Sequence, residues 1–384
     1  MKILITTDLF TTDTNGVVTS TKNLWRELLS KGHDVRIMTL SETSHSYKDE
    51  ENNVYFVKSS SLGFIYPNIR MPISYRNAYI KELIEWSPDI IHSQCEFFSF
   101  EFALHISKKT GAPIVHTYHT MYEDYVSYVM PSKKLGKRLV RWFSKKTLNK
   151  TAVSIAPTEK VKDALLRYGV SSPIHVVPSG IDLDKHKVHI DKEDILKKRR
   201  ELGISDDSTV LINLGRLGHE KNIDELITLF AKASETNKDL YFLIVGGGPA
   251  KDELEKHSDS LGLSDRIIFT GMVAPEDVQY YYRMGDIFVS ASTSETQGLT
   301  YIEAAANGLP LLCRQDPCLD AVLISGANGY SYTDEEEFIN RIDAMCKDRE
   351  WLSSASAKSK EISEKFDKTV FGNKLEEIYL SLLK

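Results

Sequence analysis

Glu295 and Glu303 stand seven residues apart in the segment SETQGLTYIEAAANGLP, Ser294–Pro310, which follows the β-rich run DIFVSAS. An alanine-rich apolar pattern beyond Gly298 predicts a helix, so Glu295 lies at its entrance and Glu303 about one turn inside. Carboxylates placed in this way can hydrogen-bond two different sets of hydroxyls, those of a sugar and those of a ribose. Between them run Thr296, Gln297, Gly298, Leu299 and Thr300. The backbone N–H groups at Gly298, Leu299 and Thr300 face the start of the helix, where unsatisfied donors and the helix dipole suit a phosphate.

Three upstream segments extend this reading. GRLGHEKN, Gly215–Asn222, follows the run VLINL and offers Arg216 and Lys221 as cationic donors to a diphosphate, although the same residue types also suit a solvated loop. VGGGPA, Val245–Ala250, beginning its glycines at Gly246, resembles a phosphate-binding turn before a helix; tight strand-to-helix turns use such glycines without a ligand too. FTGMV, Phe269–Val273, ends another strand, so backbone near Val273 is placed to meet a base. In open α/β sheets ligands gather at the carboxyl ends of strands, where these loops fall.

The elements that would position them repeat one unit. Lys2–Thr6 reads as a strand, Thr19–Ser30 as an amphipathic helix and Asp34–Met38 as the next strand, followed by strands at Val54–Val57, Ile90–Ser93, Pro113–His116 and Ala152–Ala156. A Pro-Ser-Gly turn in VVPSGIDLD, residues 176–184, interrupts the alternation and marks a domain junction. A second series follows at Val210–Leu214, Tyr241–Val245, Ile267–Phe269, Ile287–Val289 and Leu309–Leu312. Strands alternating with helices imply α/β architecture with parallel sheets covered on both faces. The expected division is residues 1–180, residues 181–366 and a terminal helix, residues 367–384, whose apolar positions Val370, Phe371, Leu375, Ile378, Tyr379 and Leu382 need a surface to cover.

With these residues in view, the chain resembles glycosyltransferase family 4, retaining enzymes of GT-B architecture. Further counterparts are TNGVVTSTKNLWRELLSKGHDV near the start, VHTYHTMYEDY in the middle and RQDPCLDAVLISGANGY near the end. The resemblance implies two Rossmann-like doubly wound domains facing a central cleft, the first carrying the acceptor and the second the nucleotide-sugar, with the final helix crossing back to the first. It implies Arg216 and Lys221 as the clamp on the donor diphosphate, Glu303 as the ribose partner and Glu295 as a contact to the transferred sugar. Gly16, read as a loop residue after the first strand, would approach the donor phosphates, and His119 would face the reacting sugar. His119 and Glu295 are thus the catalytic candidates, acting by orientation and charge stabilisation. A UDP-sugar is the implied co-substrate, with no tightly bound cofactor; Mg²⁺ is compatible with the motifs and not required by them. Asp182-x-Asp184 is read as part of the junction rather than a metal site, and His33, His92 and His116 as structural.

The acceptor is suggested by PSKKLGKRLVRWFSKKTLNK, Pro131–Lys150, which carries Lys133, Lys134, Lys137, Arg138, Arg141, Lys145, Lys146 and Lys150 without one acid. Leu135, Leu139, Val140, Trp142, Phe143 and Leu148 interleave with them, a basic amphipathic helix of the kind that lies on anionic bilayers. A charged helix packed on its own domain, with Trp142 and Phe143 in the core, is the alternative. SETQGLTY and HTYHTMYEDY resemble bacterial diacylglycerol glucosyltransferases, which implies UDP-glucose as donor and 1,2-diacylglycerol as lipid acceptor. The competing reading is a soluble family member acting on a polar saccharide.

Composition sets the frame. The 384 residues are 41% hydrophobic and 27% charged, ordinary for globular domains. Residues 1–180 hold 23 Lys and Arg against 17 Asp and Glu, while the rest holds 25 against 37, so the first half is basic within a chain of net charge −6. That asymmetry fits work at an anionic surface, and nothing else points to nucleic acid. No apolar run approaches a membrane span, and the opening MKILITTD lacks a secretion pattern, so the expected location is the cytoplasm, peripheral on the inner membrane face. Cys95, Cys313, Cys318 and Cys346 match no zinc or disulfide spacing and are read as free thiols.

Overall fold

The computed structural model describes residues 1–10, 15–61, 70–72, 74, 76–124 and 132–384. Thr14, Tyr125 and Pro131, at the ends of segments quoted above, lie outside the described residues. The chain divides into two units, Met1–Ile181 with Lys368–Lys384, and Asp182–Asp367.

The first unit contains β1 (Lys2–Thr6), β2 (Asp34–Ser41), β3 (Tyr47–Asp49), β4 (Val54–Ser61), β5 (Arg70–Pro72), β6 (Ile90–Ser93), β7 (Ile114–Thr117), β8 (Val153–Ala156) and β9 (Ile174–Val176). They form one sheet in the order β3-β4-β2-β1-β6-β7-β8-β9, with β5 on β4. The pairs from β4 to β9 are parallel, as Ile3 opposite both Val35 and Ile90 illustrates, whereas β3 and β5 pair with β4 antiparallel. The expected parallel sheet is therefore mixed at one edge. Alternation along β1 explains its burial on both faces. Ile3 and Ile5 join Leu24, Leu28, Phe371, Leu375 and Tyr379 on one side, and Leu4 joins Met38, Tyr55, Phe100 and Phe102 on the other. The terminal helix, Lys368–Leu382, thereby covers the first core with its stripe Phe371, Leu375, Ile378 and Tyr379.

The second unit contains β10 (Thr209–Leu214), β11 (Leu240–Val245), β12 (Ile267–Gly271), β13 (Ile287–Ser290), β14 (Leu311–Arg314) and β15 (Gly329–Tyr332), all parallel, in the order β12-β11-β10-β13-β14-β15. In both sheets the direction of strand addition reverses once, at β1/β6 and at β10/β13. Loops leaving the carboxyl ends of such strand pairs diverge to opposite faces and open a crevice. The Gly215–Asn222 and Ser294–Gly298 segments leave from β10 and β13, the pair at the second reversal.

Candidate functional site

Three contacts tie these two loops together. Ser294 Oγ donates to the Glu220 carbonyl at 3.2 Å, Asn222 Nδ2 donates to the Ala291 carbonyl at 3.1 Å, and the Lys221 ammonium pairs with the Glu295 carboxylate. Arg216 pairs with Glu220, whose side chain is 7% exposed beside a guanidinium that is 47% exposed. Both cations of the expected diphosphate clamp are thus held by carboxylates of the same loops. The Lys221–Glu295 pair draws Lys221 toward the segment that leads into the helix Leu299–Ala306.

Glycines permit the backbone crossing beneath this clamp. A Cβ at Gly246, φ +133°, would lie 1.9 Å from the Gly215 carbonyl oxygen, and one at Gly248 would lie 2.4 Å from that of Leu217. Leu217 N–H donates to Gly247 O at 2.9 Å and Ala250 N–H to Leu217 O at 3.0 Å, so the two loops interlock. The Gly246 amide donates to Gly271 O at 3.0 Å, so the backbone approach is what requires glycine there. Val273 is partly buried just beyond, next to Met272, which is 74% exposed.

Gly298, φ +72°, is the N-cap that turns the chain into the helix Leu299–Ala306, and as a glycine it brings no side-chain oxygen of its own to the first turn. Gln297 is buried, and Leu299 and Thr300 are partly exposed in that turn. Glu303 lies one turn inside, partly buried, and its Oε2 accepts from Tyr282 Oη at 2.9 Å. Burial pushes its carboxyl up to about 7, against the Tyr282 hydrogen bond and the Lys185 charge, which favour the anion. Around Asp182-x-Asp184, Leu183 and His186 are buried; Asn307 Nδ2 meets His186 Nδ1 at 2.9 Å and Arg283 donates to the His186 carbonyl at 2.7 Å. Leu183 and His186 of this segment are thus packed into the second unit. Among the described residues no three His, Cys, Asp or Glu side chains gather as metal ligands.

In the first unit, a polar cluster collects at the carboxyl ends of β1, β6 and β7. His119 Nε2 meets Gln94 Oε1 at 2.8 Å, and burial with the neighbouring His116 lowers its pKa to about 3. His116 Nε2 meets Glu96 Oε1 at 3.1 Å, and Glu96 Oε2 accepts from Tyr122 Oη at 2.5 Å. His92 is held at both nitrogens, by Tyr379 Oη at 2.5 Å and Thr117 Oγ1 at 2.7 Å, a structural pattern. His33 likewise bonds Glu376 at 2.8 Å. Asp8 accepts the Ser99 N–H at 2.7 Å, and burial raises its carboxyl to about 6. Gly16 is not in a loop. It is the first residue of the helix Gly16–Ser30, because the Asn15 side chain caps the Val18 N–H at 2.9 Å.

The basic segment forms the helix Lys133–Leu148, capped by Ser132. Its inward stripe is small and polar, Gly136, Ser144 and Thr147 with Leu148. Leu135, Leu139 and Trp142, spaced four and three apart, are 52%, 45% and 57% exposed, and Lys133, Lys134, Lys137, Arg138, Lys145 and Lys146 are exposed around them. Lys146 Nζ lies 4.8 Å from the Trp142 ring centre. Of the pair Trp142 and Phe143 that the alternative places in the core, Trp142 is exposed and Phe143 is half-buried, stacked on Phe97 with 5.5 Å between ring centres, while Arg141 of the basic face pairs with Glu123. No helix of the described residues is long and apolar enough to cross a membrane, and the four cysteines are unbridged.

Residues 14–185 match the family described as Glycosyltransferase Family 4, and residues 194–364 match Glycosyl transferases group 1. The α-monoglucosyldiacylglycerol synthase of Streptococcus pneumoniae is 32% identical over 100% of this chain and 86% of its own length. The chain is a family 4 glycosyltransferase. Another α-monoglucosyldiacylglycerol synthase, from Acholeplasma laidlawii, is 30% identical over 100% of this chain and 98% of its own. The glycosyltransferase also shares its GT-B fold with Anabaena HepE, solved in complex with UDP-glucose, at TM-score 0.77 and 18% identity over 99% of this chain and 100% of that one.

Several residues of these clusters escape a sequence reading. Tyr282, which holds Glu303, comes from the separate helix Val278–Met284, and no local pattern announces it. Gln94 and Glu96 follow β6 directly, so the strand-end rule that selected Arg216 would have found them had the reversal at β1/β6 been known.

Proposed function

We propose that this glycosyltransferase moves glucose from UDP-glucose to 1,2-diacylglycerol with retention, at an anionic membrane surface. Full-length likeness to two α-monoglucosyldiacylglycerol synthases carries this reading. The outward Leu135, Leu139 and Trp142 stripe, ringed by lysines, supports a lipid acceptor, because such a face gains by entering the headgroup region and its cations by meeting anionic lipid. Lys133, Lys134, Lys137, Arg138, Lys145 and Lys146 supply the attraction, and Arg141 chiefly braces the helix through Glu123.

For the donor, Arg216 and Lys221 take the diphosphate, Glu303 the ribose hydroxyls and Glu295 the glucose. The first-turn backbone of Gly298, Leu299 and Thr300, with Thr296 and Gln297, lines the sugar-phosphate; Gly246 and Val273 shape the nucleotide side, and Gly16 approaches the phosphates. The bond from the anomeric carbon to the diphosphate oxygen breaks as the acceptor hydroxyl oxygen attacks from the same face. The hydroxyl proton passes to the departing phosphate oxygen, so no protein base is needed. Negative charge grows on the leaving group, where the two cations are preorganised, and positive character grows on the sugar ring, which a neutral His119 does not oppose. Mg²⁺ is not required by this charge balance.

The test is transfer of labelled glucose from UDP-glucose to diacylglycerol in vesicles of rising anionic-lipid content. Lipid-linked glucose should rise with anionic lipid, vanish in Glu303→Ala and weaken when Lys133, Lys134, Lys137 and Arg138 are neutralised together. Transfer to a soluble saccharide with none to lipid would replace the acceptor assignment.

A further inference from the structure

The helix Leu299–Ala306 carries Glu303, and the hydroxyl that meets its carboxylate comes from a separate helix, Val278–Met284. Tyr282 of that helix is fully buried, and its Oη lies 2.9 Å from Glu303 Oε2 and 3.4 Å from the Thr300 carbonyl oxygen. One hydroxyl thus spans the first turn of the helix and the carboxylate that follows it. We propose that Tyr282 is a positioning residue for donor binding, its hydroxyl holding the Glu303 carboxylate in the orientation that receives the ribose hydroxyls. This rests on the reading in which Glu303 is the ribose partner of a UDP-sugar.

Geometry carries the argument. A helix fixes the backbone of a glutamate and leaves its long side chain several rotamers, so a carboxylate meant for one ligand gains from a rigid neighbour that selects one of them. Tyr282 is such a neighbour. Its ring packs against Phe288 with 6.4 Å between centres, and Phe288 meets Tyr301 edge-on at 5.8 Å. Tyr301 supports the start of the same helix: its Oη lies 3.0 Å from Ser290 Oγ, and its ring occupies the space where a Cβ on Gly298 would come within 2.5 Å. The three rings make one buried frame beneath the helix, and Tyr282 supplies the hydroxyl that reaches Glu303. Burial and the Glu303 charge push its phenol well above the usual range, so it remains a donor. Its hydrogen bond favours the Glu303 anion against burial, as does the charge of Lys185 on the helix Leu183–His186. On the neighbouring elements, His186 meets Asn307, Arg283 donates to the His186 carbonyl, Lys360 lies beside Gly308 past the far end of the helix, and Glu295 pairs with Lys221 at its entrance. Loss of the Tyr282 hydroxyl therefore removes both orientation and support for the anion at one carboxylate.

The experiment is calorimetric titration of the full chain, Tyr282→Phe, Glu303→Ala and the double variant with UDP and with 2′,3′-dideoxy-UDP, which lacks both ribose hydroxyls. It runs between about pH 6 and 9, the range around the Glu303 carboxyl. Tyr282→Phe should weaken UDP binding on the order of tenfold, leave the dideoxy nucleotide unchanged and raise the pH below which UDP affinity falls. Added to Glu303→Ala, it should cause no further loss of UDP. Wild-type affinity and pH profile in Tyr282→Phe, or equal losses for the two nucleotides, overturns the proposal. Should that variant fail to fold, the ¹³C shift of Tyr282 Cζ in the wild-type chain decides: it should move with UDP and stay with the dideoxy nucleotide, and a shift indifferent to UDP overturns the proposal. Wild-type binding that ignores the ribose hydroxyls, or Glu303→Ala that binds UDP as the wild type does, would overturn the reading of Glu303 itself, and the role of Tyr282 with it.

Discussion

Lys221 and Glu295, 74 residues apart in sequence, form an ion pair between the loops that follow β10 and β13. The pair makes each side chain a constraint on the other, and in the proposed donor site a diphosphate would have to draw the ammonium away from the carboxylate. The two truncations should therefore differ in sign on UDP, which carries the diphosphate without the sugar. Lys221→Ala, leaving Glu295 to repel the ligand, should weaken UDP binding about tenfold or more. Glu295→Ala should leave UDP affinity equal or higher while lowering turnover of the UDP-sugar. Calorimetric titration with UDP decides it, and equal losses in both variants would mean that the pair acts as one structural unit.

In the proposed donor site, Glu303 would couple donor binding to pH. With its carboxyl near 7 rather than its usual 4.5, it is half protonated around neutrality, and ribose hydroxyls prefer to donate to the anion. UDP affinity should fall as pH drops below about 7, by up to tenfold per unit, and level off above it. Because folding raises this pKa, ionisation costs stability above pH 7, and the cost fades as pH falls from 7 toward 4.5. Glu303→Gln should accordingly stabilise the fold at pH 8 by roughly 1–3 kcal/mol and remove the pH dependence of UDP binding. Melting curves at pH 8 and pH 5 check the first part: the gain should shrink at the lower pH.

The crossing of Gly246 over Gly215 predicts unequal costs for similar substitutions. Gly246→Ala forces a Cβ to 1.9 Å from a carbonyl oxygen in a left-handed region and should cost on the order of 3–5 kcal/mol. Gly32→Ala, at φ +80° with nothing within 4 Å, should cost only roughly 1–2 kcal/mol. Urea unfolding of the two variants checks this, and similar losses would refute the steric explanation.

Much of this arrangement is legible in the sequence because it is local. The period of apolar residues marks β1, β6, β10 and β13, and Gly298 before an alanine-rich pattern marks the helix that carries Glu303. Strands β3, β5 and β9 escape notice because each has three residues, too few for an alternation to show. β15, four residues reading GYSY, lacks the aliphatic run that identifies its neighbours. The partners are the illegible part. Nothing near Glu303 foretells Tyr282, and the pairing of Arg216 with Glu220 or Arg141 with Glu123 depends on loop geometry that the spacing leaves open. Gly16 shows a local signal outweighed by another: a glycine after a strand suggests a loop, and Asn15 as a cap draws it into a helix.

The exposed face of the helix Lys133–Leu148 lets the proposed membrane binding be tested apart from stability. Replacing Leu135, Leu139 and Trp142 with serine should leave the melting temperature within about 2 °C, because all three are exposed, and weaken binding to anionic vesicles about tenfold or more. Phe143→Ala should do the opposite, since Phe143 stacks on Phe97. Vesicle co-sedimentation beside thermal melts reads both effects, and undiminished vesicle binding by the triple variant would remove this helix from the membrane contact.

The most direct measurement is analysis of the lipid formed when the purified enzyme meets UDP-glucose and diacylglycerol in anionic vesicles, with the anomeric configuration read by proton NMR. The expected result is monoglucosyldiacylglycerol whose anomeric coupling is the small one of an α-glucoside. A β-glucoside would contradict retention, and the absence of any glucosylated lipid would contradict the acceptor on which the proposed function depends.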